Sequence, residues 1–302
     1  MESRTVNLAL RKAAVDDDLV LLKRMLTEEH ADVDSCDEDG TTALMLASSY
    51  GHLECMQLLI DHGANVNTCR PTGANALFFA AEEGHEEAVC YLLRSGVNVR
   101  KCGGIALFVA AQRGYRRLVK VLLAAGSDPN YTMPDGAHSL FVAVQNGHTS
   151  IARMLIQNGA DVNKCRKDGT SPLWIACQMN HIALVKELLN HEADVDKARQ
   201  DGATPLFKAA HKGNLEVVEA LLDCRPYFGL LKNGETPLHA ACLFGHLSVA
   251  KLLIRAGADV NLRNKNGETP LQLAEQLGYD SIINMLKRFE ERPVRDPMET
   301  FL

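Results

Sequence analysis

Eleven histidines and nine cysteines are the side chains of this 302-residue chain best suited to hold a metal, move a proton or cycle between redox states. Five of the histidines, His52, His85, His148, His181 and His246, share one slot, following Gly51, Gly84, Gly147, Asn180 and Gly245. Elements stacked one repeat apart lie about 10 Å from each other, whereas zinc needs every ligand within about 2 Å of one ion. These histidines therefore read as bridges between loops. Cys36, Cys69, Cys102 and Cys165 also share a slot, at a separation beyond the roughly 7 Å Cα limit of a disulfide, and read as packing residues and not as a redox relay. No GxSxG, Walker A, HExxH or paired CxxC pattern occurs, and Gly103-Gly104 lacks the flanks of a phosphate loop. The expectation is a chain with no catalytic site, no metal and no cofactor.

Composition bounds the rest. Apolar residues make up 46% and charged residues 23%, which is ordinary for a folded protein and excludes a disordered or collagen-like chain. The net charge of −6 argues against a nucleic-acid binder, but it is unevenly spread. Residues 1–90 hold 6 Lys+Arg against 17 Asp+Glu, and residues 91–302 hold 26 against 21. Cysteines that are sparse and odd in number point to reduced thiols. Met1 to Leu10 lacks the apolar core of a signal peptide, and no stretch approaches 18 uncharged apolar residues. An intracellular, cytoplasmic chain without a membrane span is expected.

The elements that position these side chains repeat. Gly40, Gly73, Gly104, Gly136, Gly169, Gly202, Gly234 and Gly267 are separated by 33, 31, 32, 33, 33, 32 and 33 residues. Each glycine is expected at a turn before a helical run. Residues 234–267 show the local logic. Thr236 caps a helix whose first position is Pro237, where a missing N–H costs nothing. Leu238, Ala241 and Cys242 form a narrow apolar stripe, Gly245 stops the helix, and Val249, Leu252 and Leu253 mark the buried face of a second one. Gly257 ends that helix, and an extended arm leads to the turn at Gly267. A degenerate unit precedes the eight, with Leu10–Ala14 aligning on Leu44–Ser48.

TPLH-x-A, GH and LLxxGADVN at this period resemble the ankyrin repeat. Ser171–His181 (SPLWIACQMNH) and Gly229–Gly234 (GLLKNG) are also similar to small stand-alone ankyrin repeat proteins. The resemblance implies an all-α repeat solenoid: a stack of about nine helix-turn-helix units with β-hairpin fingers, forming a single domain over 5–290. Its first, degenerate unit would span 5–37, and a short tail would cover 291–302. It also implies a partner surface on the fingers and first helices, and it makes Asn67, Asn163 and Asn261, which end LLxxGADVN-like segments, targets of an asparaginyl hydroxylase.

Departures from the pattern nominate the contact surface. Cys224–Leu231 (CRPYFGLL) replaces the usual arm, and Tyr227, Phe228, Leu230 and Leu231 cannot all be usefully buried on a thin finger. Leu243, Phe244 and Leu277 are apolar where other units are mostly polar, a contact patch or local packing against the neighbouring helix. The slot of the TPLH histidine holds Phe78, Phe108, Phe141, Trp174 and Phe207, with His239 keeping the family type; such a ladder is more often core than binding track. Lys208 occupies a slot that is apolar elsewhere, which snorkelling explains. Glu299–Leu302 (ETFL), with Thr300 and the terminal Leu302, resembles a PDZ-domain ligand or is a frayed end. The expected function is an intracellular, non-catalytic interaction module or adaptor that presents a rigid concave ankyrin surface to protein partners. The alternative is a regulatory or targeting subunit that blocks or positions an enzyme.

Overall fold

The computed structural model describes residues 2–290, so the expected tail with Thr300 and Leu302 lies outside the described residues. Among the described residues the chain forms eighteen α-helices and only isolated β-bridges, the content of an all-α repeat solenoid. Backbone contacts group it into two compact units, Met1–Asp161 and Val162–Leu302.

The first unit holds α1 (Glu2–Asp16), α2 (Leu19–Thr27), α3 (Ala43–Tyr50), α4 (Leu53–Asp61), α5 (Ala76–Glu83), α6 (Glu86–Arg94), α7 (Val99–Arg113), α8 (Arg116–Ala124), α9 (Ser139–Gln145) and α10 (Thr149–Gln157). Odd-numbered helices pack on odd-numbered ones and even on even, so each pair touches only its sequence neighbours. The reason is visible in the residues at each contact. Leu44, Leu77, Leu107 and Leu140 are fully buried, with Ala47, Ala80, Ala110 and Ala143 beside them letting the backbones approach. Each such leucine contributes about 2 kcal/mol of burial. On the second helices, Met56, Leu59, Val89, Leu92, Val119 and Leu122 supply the matching face.

The second unit repeats this plan with α11 (Pro172–Gln178), α12 (Ile182–Asn190), α13 (Pro205–Lys212), α14 (Leu215–Leu222), α15 (Pro237–Leu243), α16 (Leu247–Arg255), α17 (Pro270–Leu277) and α18 (Asp280–Glu290). Its odd helices begin with Pro, and Ser171, Thr204, Thr236 and Thr269 accept from the amide three residues on. Glu275, where inner repeats carry a small residue, is ion-paired to Lys287 at 3.0 Å.

The loops bring two corrections. Fingers were expected as β-hairpins, but they are tight turns. Seven are closed by the same two bonds, as at Arg70 N to Ala74 O (2.8 Å) and Gly73 N to Arg70 O (2.8 Å), and only Cys36–Thr42, Cys69–Asn75 and Thr132–His138 reach an isolated bridge. Side-chain oxygens take the amides that a β-partner would otherwise occupy: Asp37 Oδ1 accepts from Asp39 (3.0 Å) and Thr41 (2.8 Å). Gly104 was expected at a turn, yet it lies inside α7. The arm there winds into the helix from Asn98, whose side chain accepts from Lys101 N at 3.1 Å. A Cβ at Gly104 would fall 2.4 Å from Tyr131, and one at Gly103 would fall 2.5 Å from Ser127 Oγ, so the glycines let the next arm close over the helix.

Candidate interaction surface

The repeated histidines act between repeats. His52 Nε2 bonds Val15 O at 3.0 Å, His85 bonds Ser49 O at 2.9 Å, His148 bonds Gln112 O at 3.2 Å and His246 bonds His211 O at 3.1 Å. In the same slot Asn214 Nδ2 donates to Cys177 O at 2.7 Å, so the slot requires a reach to a carbonyl and not imidazole chemistry. Among the described residues no cysteine is in a disulfide. Burial pushes the Cys55 and Cys242 thiols up to about 12 and that of Cys177 higher still, away from thiolate reactivity.

Asn67 and Asn163 have structural work. Asn67 Oδ1 accepts from Asn98 N and Asn163 Oδ1 from Asp194 N, each at 2.7 Å and 31 residues on. Asp34 with Asn65, Asn130 with Asp161 and Asp196 with Tyr227 make the same bond, so this position ties each arm to the next. For Asn261 the equivalent partner position, 292, lies outside the described residues.

The aromatic ladder is mostly core, with Phe141, Trp174, Phe207 and His239 buried and Phe78 and Phe108 half-buried. His239 completes a capping box with Thr236, and its Nε2 bonds Glu268 O at 3.1 Å. Desolvation lowers its pKa despite the Glu268 carbonyl.

The nominated apolar residues separate into two groups. Tyr227 is 69% exposed, Leu230 and Leu277 are 50% exposed and Phe244 is 45% exposed. Leu231 instead packs on Ala203, Phe207 and Ala240, and Phe228 and Leu243 are half-buried. Leu231 N to Glu235 O (2.9 Å) and Gly234 N to Leu231 O (2.8 Å) still close the turn, so the finger keeps its frame while changing its side chains. Arg225, like Glu192 one repeat earlier, stands where most second helices end in glycine, and it holds φ at +52°. The finger enters α15 at its N-terminus and Phe244 caps its C-terminus, a separation of about 10 Å along the axis. Phe244 lies against His211, ring centroids 4.2 Å apart.

A cationic cluster adjoins this group. Trp174 Nε1 donates to Ala203 O at 3.1 Å, and the ring has the Arg199 guanidinium 4.8 Å and Lys208 Nζ 5.2 Å from its centroid. Arg199 is also paired with Asp168 at 3.6 Å. Desolvation, then the charges of Lys212 and Arg199, lower the Lys208 pKa; desolvation, then Lys208, Lys212 and His246, lower that of His211. Lys208 stands out in the sequence, but its stacking on Trp174, a contact between side chains 34 positions apart, does not. The signal was a Lys at 208 with a second at 212, one turn on.

Residues 10–101, 95–166, 140–230 and 226–293 match the family model described as ankyrin repeats in three copies. The chain belongs to the ankyrin repeat family. Human ankyrin repeat domain-containing protein 29 is 53% identical to it over 45 residues, which are 15% of this chain and 15% of that protein. The glycine-ended helices and GADVN-like arms account for the scaffold, and CRPYFGLL, Lys208 and Lys212 differ from what this chain's other repeats carry at the same positions. Ankyrin repeats are protein-interaction modules, and among the described residues no helix is long and apolar enough to cross a membrane.

Proposed function

We propose that this ankyrin protein is a non-catalytic adaptor that works inside the cell, in the cytoplasm, by offering a preformed surface of its second unit to a protein partner. The observation that carries the reading is the exposure of Tyr227, Leu230, Phe244 and Leu277 around α15 and α17, large apolar groups that the repeat's own packing does not need. A frame already closed by its turn bonds loses little entropy on binding. Cysteines that form no disulfide among the described residues suit a reducing compartment.

The test is quantitative affinity purification from cells of the natural chain against Tyr227→Ala/Phe244→Ala. A true anchor costs about 2 kcal/mol or more of binding on truncation, whereas loss of an exposed side chain shifts folding by about 0.5 kcal/mol. A partner lost from the double variant with the melting curve unmoved supports the reading. An unchanged partner set places the interface elsewhere. A third sample lacking Thr300–Leu302 tests a PDZ-domain partner at the C-terminus separately.

Asn67, Asn163 and Asn261 are proposed sites of asparaginyl hydroxylation. Asn67 and Asn261 are exposed and Asn163 is half-buried. Peptide mass spectrometry from cells grown in normal oxygen should find a mass gain of one oxygen at these residues; its absence at all three opposes the assignment.

A further inference from the structure

The last positions of the first helices in the second unit form a row. Met179 caps α11, Lys212 ends α13, Phe244 caps α15 and Leu277 ends α17; all four are exposed. Packing joins α11 to α13, α13 to α15 and α15 to α17, so neighbouring members of the row are carried on adjacent helices, about 9 Å apart. A peptide in the extended polyproline II conformation has three residues per turn and advances about 3.1 Å per residue, so every third side chain lies on one face and meets the next member of the row.

The row is apolar except at Lys212. Lys208, one turn earlier on α13, presents its ammonium to the same side and is half-buried against Trp174. Among the described residues neither lysine forms an ion pair with a carboxylate, and Asp201 attracts Lys208 more weakly than Lys212 and Arg199 each repel it. Asp168 pairs with Arg199, but the two lysines beside the half-buried aromatic have only the weaker pull of Asp201, so a further anion is favoured there. The cationic stretch is only one helix wide between Met179 and Phe244, too narrow to follow a nucleic-acid backbone, which needs a row of phosphate contacts.

We propose that this row receives an extended acidic segment of the protein partner, with one carboxylate between Lys208 and Lys212 and an apolar side chain three residues to either side, one on Met179 and the other on Phe244. The inference rests on the interaction-module reading and gives its partner a chemistry. It predicts a motif that reads alike in either chain direction around its acid: apolar, two spacers, Asp or Glu, two spacers, apolar. Leu277 extends it by a further apolar residue on one side.

The experiment is panning of a random dodecamer phage library on the full chain, on Lys212→Met and on Phe244→Ala, with melting curves for each. The expected result is enrichment of Asp or Glu flanked at three-residue spacing by apolar residues, with the acid preference lost on Lys212→Met and one apolar preference lost on Phe244→Ala. An enriched synthetic peptide should bind at least tenfold more weakly when its acid is changed to Lys, and more weakly at high salt. Three results overturn the proposal: no enrichment, enrichment without an acid, or a motif that survives Lys212→Met. If they occur while Tyr227→Ala/Phe244→Ala still loses a cellular partner, the module reading stands and only the acidic-segment inference falls. Self-association of the chain in sedimentation, abolished by Lys212→Met, would identify a second copy as the occupant and also overturns it.

Discussion

Segments 98–104 and 225–234 both abandon the standard arm, and they do so in opposite senses. The first dissolves the turn into α7 and hides the result: Cys102, Gly103, Gly104 and Ile105 are buried, and Tyr131 closes over the glycines. The second keeps the turn bonds and turns large side chains outward, with Tyr227 and Leu230 at least half-exposed while Leu231 packs on Phe207. A departure that buries its irregularity is explained by packing. One that preserves the frame and exposes apolar surface is not, and it therefore marks where binding is to be sought.

The strongest way to break this contrast is Gly104→Leu. A side chain there must displace Tyr131, and overpacking of a tight core typically costs about 1–3 kcal/mol. Urea denaturation of the full chain should show that loss; an unchanged midpoint would mean that the segment tolerates volume and is not closely packed. Within the second segment the contrast sharpens between neighbours. Leu231→Ala should cost about 1–2 kcal/mol as a partly buried leucine, and Leu230→Ala about 0.5 kcal/mol or less. Equal costs would erase the distinction between anchor and exposed tip.

A gain is expected at Arg225, whose left-handed φ of +52° is a glycine's conformation. Arg225→Gly should raise stability by up to about 1 kcal/mol, because the strain relieved exceeds the added chain entropy. A lower melting point would show that the arginine side chain earns its place through contacts.

Much of this was legible in the sequence because each repeat restates it. Small residues at Ala241 and its equivalents and Gly-terminated helices agree in repeat after repeat, joined in the second unit by Thr-Pro or Ser-Pro starts, and the helices follow. What failed was local. Gly104 matched the spacing of turn glycines, but the residues around it, from Val99 to Ile105, continue the helix, and the constraint on the glycines comes from Tyr131, a side chain 27 positions later. The finger was read as four equal apolar residues because sequence gives no burial, and the Phe207–Ala240 contact that claims Leu231 is made by two other helices. The pairing of Lys208 with Trp174 was hidden for the same reason.

The smallest effect expected at neutral pH concerns the buried end of the ladder. His239 is held neutral by desolvation, with Thr236 at its Nδ1 (2.8 Å) and the Glu268 carbonyl at its Nε2. Its folded pKa lies below the ordinary 6.5, so the unfolded chain binds the extra proton first, and stability is full above about pH 6.5 and declines as pH falls through and below that value. Glu235 and Glu268 face the ring and favour its charged form, which moderates the decline without reversing it. His211, lowered by desolvation and nearby lysines, adds a slope of the same sign. His239→Gln tests the share that belongs to residue 239, because Gln272 in the equivalent slot of α17 completes the same capping box with Thr269. The variant should lose little at pH 7.5, where only the bond to Glu268 is forfeited, and should show a shallower fall in melting temperature between pH 7 and about 5, above the range in which the carboxylates titrate. Parallel pH profiles for the two proteins would assign the proton uptake to His211 and leave His239 as a cap alone.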